Sequence, residues 1–198
     1  MPATPLLVVL TGPSGVGKDS VLATLRNAGN GRYGFPVNAT TRDRRPNEQE
    51  GVDYFFVTHD EFARRLGEGD FLEHATVYGQ KKGVLKQQVR KLLEANRDAI
   101  LRTDVQGARY IKFVAPGAVT IFIAPPSFEE VEQRMRSRGG DSPEQVAVRL
   151  QTARDEIAAA DEFDHTVVND DLAHCVEEIE AIIELERTRP GREPTVIG

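Results

Sequence analysis

The stretch GPSGVGKDS, Gly12 to Ser20, decides how the chain is read. A short continuous apolar run, Leu6 to Leu10, precedes it and reads as a strand buried on both faces. The segment after it, from about Lys18 to Leu25, reads as a helix. A glycine-rich turn in that setting lets successive backbone N–H groups face an anion. The helix N-terminus adds partial positive charge, and Lys18 can reach terminal phosphates. Gly12, Pro13, Ser14, Gly15, Val16, Gly17, Lys18, Asp19 and Ser20 are therefore candidate nucleotide contacts, against the bland reading of a turn with no ligand. Loops of this pattern usually carry a hydroxyl directly after the lysine, where it ligates magnesium. Here Asp19 stands there. Either it is a first-turn acid that favours the helix dipole, or its carboxylate takes over the metal.

Three further short apolar runs lie along the chain, Ala99 to Leu101, Val119 to Ala124 and His165 to Val168, with helical patterns between them. That alternation predicts an α/β core with a mostly parallel sheet. Thr58 to Glu61 and Ser127 to Glu130 have capping-box spacing, and Ser142-Pro143 adds a proline at a first helical position. Residues 35–78 differ: "VNATT", "DYFFV" and "FLEHATVYG" are short, β-rich and separated by polar turns, as in a lobe inserted into the core. "RSRGGDSPE", Arg136 to Glu144, reads as a mobile segment between two helices, and the stretch from Arg189 as a loosely held terminus.

The 198 residues suit one domain, and 39% apolar with 28% charged residues suits a packed core. A net charge of -6 argues against a non-specific nucleic-acid binder. The single cysteine, Cys175, allows no intramolecular disulfide. No transmembrane run and no basic leader stand out, so a cytoplasmic protein without membrane partners is expected, monomer or homo-oligomer. His59, His74, His165 and His174 are scattered without ligand spacing and read as structural or exposed.

The stretch TTRDRRPNEQEGVDYFFV, Thr40 to Val57, holds three arginines, acids and a tyrosine. Guanidinium forks bind phosphate bidentately and a phenol donates one more bond, so it can form a phosphomonoester pocket; it can equally be a solvated charged loop. As a sequence it resembles the guanylate kinase signature TTRxxRxxExxGxDYxF. The resemblance continues through "FLE" (71–73), "VYG" (77–79), "DVQGA" (104–108), "IFIAPPS" (121–127), "RMRSRG" (134–139), "RLQTARDE" (149–156) and "FDHTVVND" (163–170), in the family's order, over about residues 6–187. It implies the P-loop nucleoside-monophosphate kinase fold, with a core of about residues 1–34, 84–135 and 150–187, a nucleotide-binding lobe (35–83), a mobile lid (136–149) and a tail (188–198). The implied reaction is transfer of phosphate from ATP, with Mg2+, to GMP or dGMP. The implied roles are phosphate binding for Arg42, Arg45 and Tyr54, and base binding for Glu73 with Asp104. Lys18, Arg138 and Arg149 would embrace the transferring phosphoryl group with Arg134 in support, and Asn169 would sit near adenine.

Several positions depart from the family pattern. Asp19 replaces the loop hydroxyl, and Arg102 stands where an acid is usual, two residues before Asp104. Lys82 stands where a phosphate-binding tyrosine is expected. Val84 stands for a base-contacting Thr or Ser, and Asn38 for a serine that touches guanine. A hydroxyl plus an acid carries -1, and Asp19 plus Arg102 carries zero, so the acid has moved to the loop and Arg102 is expected to pair with it or with phosphate. Lys82 can hold phosphate with less directional control. Val84 cannot donate to guanine O6, but the Asn38 amide can. The alternatives are a kinase of another phosphorylated acceptor, such as ribose 1,5-bisphosphate, whose enzymes resemble this chain in "GKDS", and an inactive guanylate-kinase-like binding module. The acceptor signature disfavours the first. Lys18, Arg138 and Arg149 disfavour the second.

Overall fold

The computed structural model describes residues 4–29, 31–77, 79–137, 142–192 and 194–198. A five-stranded sheet forms the centre. Its strands are β1 (Leu7–Thr11), β2 (Tyr33–Gly34), β7 (Asp98–Arg102), β8 (Val119–Ala124) and β9 (His165–Val168), in the order β2-β7-β1-β8-β9, with every pairing parallel. The four strands expected from apolar runs are all present; β2 was not foreseen, because two residues carry no periodic signal.

β1 has no polar alternation because both of its faces are covered. Val8 and Leu10 pack with Ile100, Ile121 and Ile123 against α1 (Lys18–Ala28) and α7 (Leu172–Thr188), through Val21, Leu25, Ile179 and Ile183. On the opposite face Leu7 and Val9 pack with Leu101 and Phe122 against α3 (Lys86–Glu94) and α4 (Val105–Val114), through Val89, Val105, Ala108 and Ile111. Each of these fully buried aliphatic side chains contributes about 1.5–3 kcal/mol relative to exposure. Asp98, fully buried, accepts from the Leu6 N–H at 2.9 Å and pairs with Arg187, which joins β7, β1 and α7.

A second sheet, in the order β4-β3-β6-β5, combines β3 (Ala39–Thr40), β4 (Phe55–Phe56), β5 (Phe71–Val77) and β6 (Gln80–Leu85). Beneath it lies α2 (His59–Gly67), whose Thr58 cap accepts from the Glu61 N–H. Phe62 and Phe71 stack there with ring centroids 4.3 Å apart. Two further helices, α5 (Phe128–Ser137) and α6 (Pro143–Ala158), pack on each other through Val131, Met135, Val146, Leu150 and Ala153. Ser142 closes a full capping box with Gln145 at the start of α6. The chain end differs from the loose terminus expected. Ile197 packs on the core, Arg90 donates to its carbonyl at 3.1 Å, and Thr195 donates to the Gly117 carbonyl at 2.8 Å.

Candidate active site

β1 and β7 run side by side in register Leu10–Arg102, so the glycine loop after β1 emerges beside the end of β7. Ligands in open parallel sheets bind at these carboxyl ends. Gly12 opens the loop at φ 142°, and a Cβ there would overlap the Ile123 carbonyl oxygen of the neighbouring strand, so the backbone fits only as glycine. Lys18 begins α1 and folds back over the loop. Its ammonium donates to the carbonyls of Gly12 at 2.6 Å and Pro13 at 2.9 Å. Burial is the main cause holding its pKa down at about 8; the Arg102 charge adds to this, and the Glu156 carboxylate opposes it.

One hollow of about 310 Å³ joins the loop to the second sheet. Gly12, Ser14 and Lys18 line it from the loop, Glu73 and Lys82 from the lobe strands, and Asn38 from just before β3. Arg102, Asp104 and Glu156 complete its wall. A larger hollow of about 530 Å³, near Arg65 and Arg90, contains no part of the loop and none of the candidate residues. Glu73 is only 9% exposed. Burial first, and the nearby Asp104 charge second, push its carboxyl up to about 7. A buried carboxylate without compensating donors is costly, so this position is suited to a ligand that brings N–H groups. Asp104 itself caps α4 by accepting from the Gly107 N–H at 2.8 Å, a structural duty that its sequence context did not reveal.

The arginine loop forms its own cluster. Arg42 donates to Glu48 at 2.6 Å and lies 5.6 Å from the Tyr54 ring centroid, and the Lys82 ammonium lies 5.7 Å from the same ring. Two cations thus flank one phenol. The acids of this loop shape it. Glu48 also accepts from the Arg45 N–H at 2.8 Å, Glu50 from the Phe56 N–H at 3.0 Å, and Asp53 from the Gln49 N–H at 2.8 Å. Hydrogen bonds from Arg42 hold the Glu48 carboxyl below its ordinary range. The Arg45 side chain is exposed. Tyr54 lines a smaller hollow of about 110 Å³ with Asn38, Val84 and Arg102. Val84 is 2% exposed, packs into the core with Leu7 and Leu72, and does not line the hollow that Glu73 lines.

Asp19 is 80% exposed, and its Oδ1 meets Arg102 Nη1 at 2.5 Å, so the two departures from the family pattern form one ion pair. Arg149, from α6, donates to Ser14 Oγ at 3.4 Å, and Arg134 pairs with Glu130. Arg138 lies outside the described residues. Asn169 is buried beneath the loop. Its amide donates to the Val16 carbonyl at 2.6 Å, and its own N–H donates to Ala124 at 2.8 Å. Two functional neighbours were missed by sequence reading. Glu156 accepts from the Ser14 N–H at 3.2 Å, and Gly107 is the point where a Cβ would come within 2.9 Å of Glu73 Oε1. The signal for both was their place inside stretches shared with the family.

Comparison with known proteins agrees with this geometry. A guanylate kinase family model matches residues 4–186. A guanylate kinase of Streptococcus agalactiae serotype III is 42% identical over 193 residues, covering 98% of this chain and 91% of the relative. That of Symbiobacterium thermophilum is 43% identical over 194 residues, covering 97% and 92%. The crystal structure of guanylate kinase from Anaplasma phagocytophilum superposes with a TM-score of 0.73 at 30% identity, over 98% of this chain and 91% of that one. A glycine loop with its lysine, a buried Glu73 in the same hollow and a family match over residues 4–186 lead to one conclusion: the chain belongs to the guanylate kinase family.

Proposed function

We infer that the protein phosphorylates GMP, and dGMP with it, at the expense of ATP. The observation that carries this reading is the single hollow of about 310 Å³ in which the Lys18 loop faces Glu73 and Lys82. A kinase needs donor phosphates and acceptor within one enclosure. Glu73, poised near neutrality by burial, accepts the N1 and N2 hydrogens of guanine, a pair of donors that adenine lacks. Asn38 supplies a donor for the O6 edge, and Asp104 assists from the start of α4. Val84 contributes shape from the core side. Arg42, Tyr54 and Lys82 hold the acceptor's phosphate, with Arg45 closing in from the loop. Asn169 holds the floor of the ATP site near adenine.

The protein supplies no nucleophile. An oxygen of the acceptor phosphate attacks the γ-phosphorus in line, and the bond to the bridging oxygen breaks. Lys18 exchanges its two loop carbonyls for phosphate oxygens, which restores its full charge where charge is needed. Arg149, already at Ser14, and Arg138 close over the group from the lid and exclude water. Asp19 Oδ1 is engaged by Arg102, so the carboxylate is read as the partner of that cation and not as a magnesium ligand, and Mg2+ would be held through substrate phosphates and water at the loop beside Ser20. Among the described residues no cluster of three His, Cys, Asp or Glu side chains is placed to hold a metal. Magnesium, when bound, neutralises charge on the β- and γ-phosphates. No described helix is long and apolar enough to cross a membrane, and nucleotide substrates fit a cytoplasmic setting.

The test is initial rates with ATP and magnesium on GMP, dGMP, IMP, AMP, UMP and ribose 1,5-bisphosphate. GMP and dGMP should lead. AMP turnover equal to GMP turnover refutes the guanine assignment, and a preference for the sugar bisphosphate refutes the nucleotide one.

A further inference from the structure

We propose that Arg102 is a catalytic residue of the transfer, a fixed cation that contacts the phosphoryl group in transit, and that Asp19 is the positioning residue that holds it. The proposal rests on the reading of the chain as a GMP kinase. Two hollows meet at this side chain. The larger is shared with Lys18 and Glu73, and the smaller with Tyr54. Of the described cations that line either hollow, Arg102 alone lines both. A phosphoryl group moving from the loop to an acceptor phosphate beside Tyr54 crosses the boundary that Arg102 occupies.

The backbone at Arg102 is paired within the central sheet. It ends β7 in register with Leu10, and the next residue, Thr103, donates its N–H to the Leu10 carbonyl at 3.1 Å. The side chain is held by the 2.5 Å contact from Nη1 to Asp19. With Asp19 80% exposed, such an ion pair adds little stability, so its value is orientation of the guanidinium. The planar fork has N–H groups beyond the one committed to Asp19, and it matches a phosphate edge in a way that no single ammonium does. In the transfer, a new bond forms from the acceptor oxygen to the γ-phosphorus while the bond to the β,γ-bridging oxygen breaks, and its electron pair leaves with ADP. No proton is exchanged with Arg102. It meets the charge that spreads over the equatorial and bridging oxygens.

The experiment is steady-state kinetics with ATP, magnesium and GMP on the wild type, Arg102→Ala, Arg102→Lys, Asp19→Asn and the double variant Asp19→Asn/Arg102→Ala. Binding of a bisubstrate probe, adenosine and guanosine joined by five phosphates, is measured alongside. Arg102→Ala should lower kcat by about 10²–10³-fold, with both KM values within about threefold, and should weaken the probe more than tenfold. Arg102→Lys should recover part of kcat. Asp19→Asn should lower kcat about three- to fivefold alone and change nothing further in the Arg102→Ala background. A kcat of Arg102→Ala within threefold of wild type, or a loss confined to KM, overturns the catalytic assignment. Full additivity in the double variant overturns the holding role of Asp19. If Arg102→Ala does not fold, Arg102→Lys and Arg102→Gln decide the same point. A wild type that does not turn over GMP overturns the kinase reading itself, a result distinct from all of these.

Discussion

The Ser14 backbone N–H donates to Glu156 Oε2 at 3.2 Å, which ties the phosphate loop to a helix 142 residues further along the chain. On the proposed reading of the loop as the ATP site, an acid thus takes the place of a phosphate oxygen. Burial raises the Glu156 carboxyl above its ordinary range, while the Ser14 N–H and the Lys18 charge act the other way. On that reading ATP displaces this carboxylate, and a like charge beside incoming phosphate costs roughly 1 kcal/mol when partly screened. Glu156→Gln should therefore lower the KM for ATP about three- to tenfold, measured at saturating GMP. A higher KM for ATP with collapsed kcat would show that Glu156 positions Lys18 instead of competing for its site.

Glu73 gives a pH signature. Its carboxyl titrates near 7 in the folded protein against an ordinary value of 4.5, so the folded state holds the extra proton between those values. Stability of the free protein should fall as pH rises through that window, because the proton is lost more readily by the unfolded chain. A ligand with two N–H donors favours the ionised form, so affinity for GMP should rise over the same window. From pH 6 to pH 8 the wild type should gain about tenfold more GMP affinity than Glu73→Gln, which cancels the phosphate's own titration. At pH 8, loss of the charged hydrogen bonds in Glu73→Gln should raise the KM for GMP by about 10–150-fold. Calorimetric titration of GMP at the two pH values checks the first number, and initial rates at pH 8 check the second.

Gly107 tests how tightly Glu73 is placed. It sits in the first turn of α4, after the Asp104 cap, and a Cβ there would lie 2.9 Å from Glu73 Oε1 and would overlap Thr103 Oγ1. Gly107→Ala should thus displace the carboxylate. A KM for GMP raised about tenfold is expected, with the KM for ATP unchanged and a stability cost of about 1–3 kcal/mol from overpacking. Equal changes in both KM values would indicate general distortion rather than a local shift of Glu73.

How much of this was legible beforehand follows from physics. The strand Val119–Ala124 declares itself, because a parallel sheet covered on both faces demands a continuous apolar run, whereas His165–Val168, at the sheet edge, buries only Val167 and carries a weaker signal. Tyr33–Gly34 and Phe55–Phe56 carry none, since two-residue strands exist only through pairing with distant partners. The Asp19–Arg102 pair was readable from charge counting once the loop and the end of β7 were known to be neighbours. Glu156 was not, because an acid on a helix looks the same whether it faces solvent or a loop amide. Val84 shows the opposite limit. Its position in a motif drew it toward the base, while its apolar side chain took the core.

Asn169 is the residue whose expected place near adenine acquires a second meaning from the structure. The residue is 7% exposed, and its amide donates at 2.6 Å to the Val16 carbonyl, in the middle of the phosphate loop. Replacing the amide by a carboxylate, Asn169→Asp, would set an oxygen against that carbonyl and leave a buried acceptor without a donor. Such a loss costs about 1–3 kcal/mol. In a chain of 198 residues that corresponds to a Tm lower by roughly 2–10 °C. Because the strain falls on the loop, ATP binding should suffer more than GMP binding, and Asn169→Ala, which removes the donor without adding a charge, should fall between. Scanning calorimetry with and without ATP separates the two effects. If ATP raises the Tm of Asn169→Asp as much as that of the wild type, the residue supports the fold and not the loop's grip on phosphate.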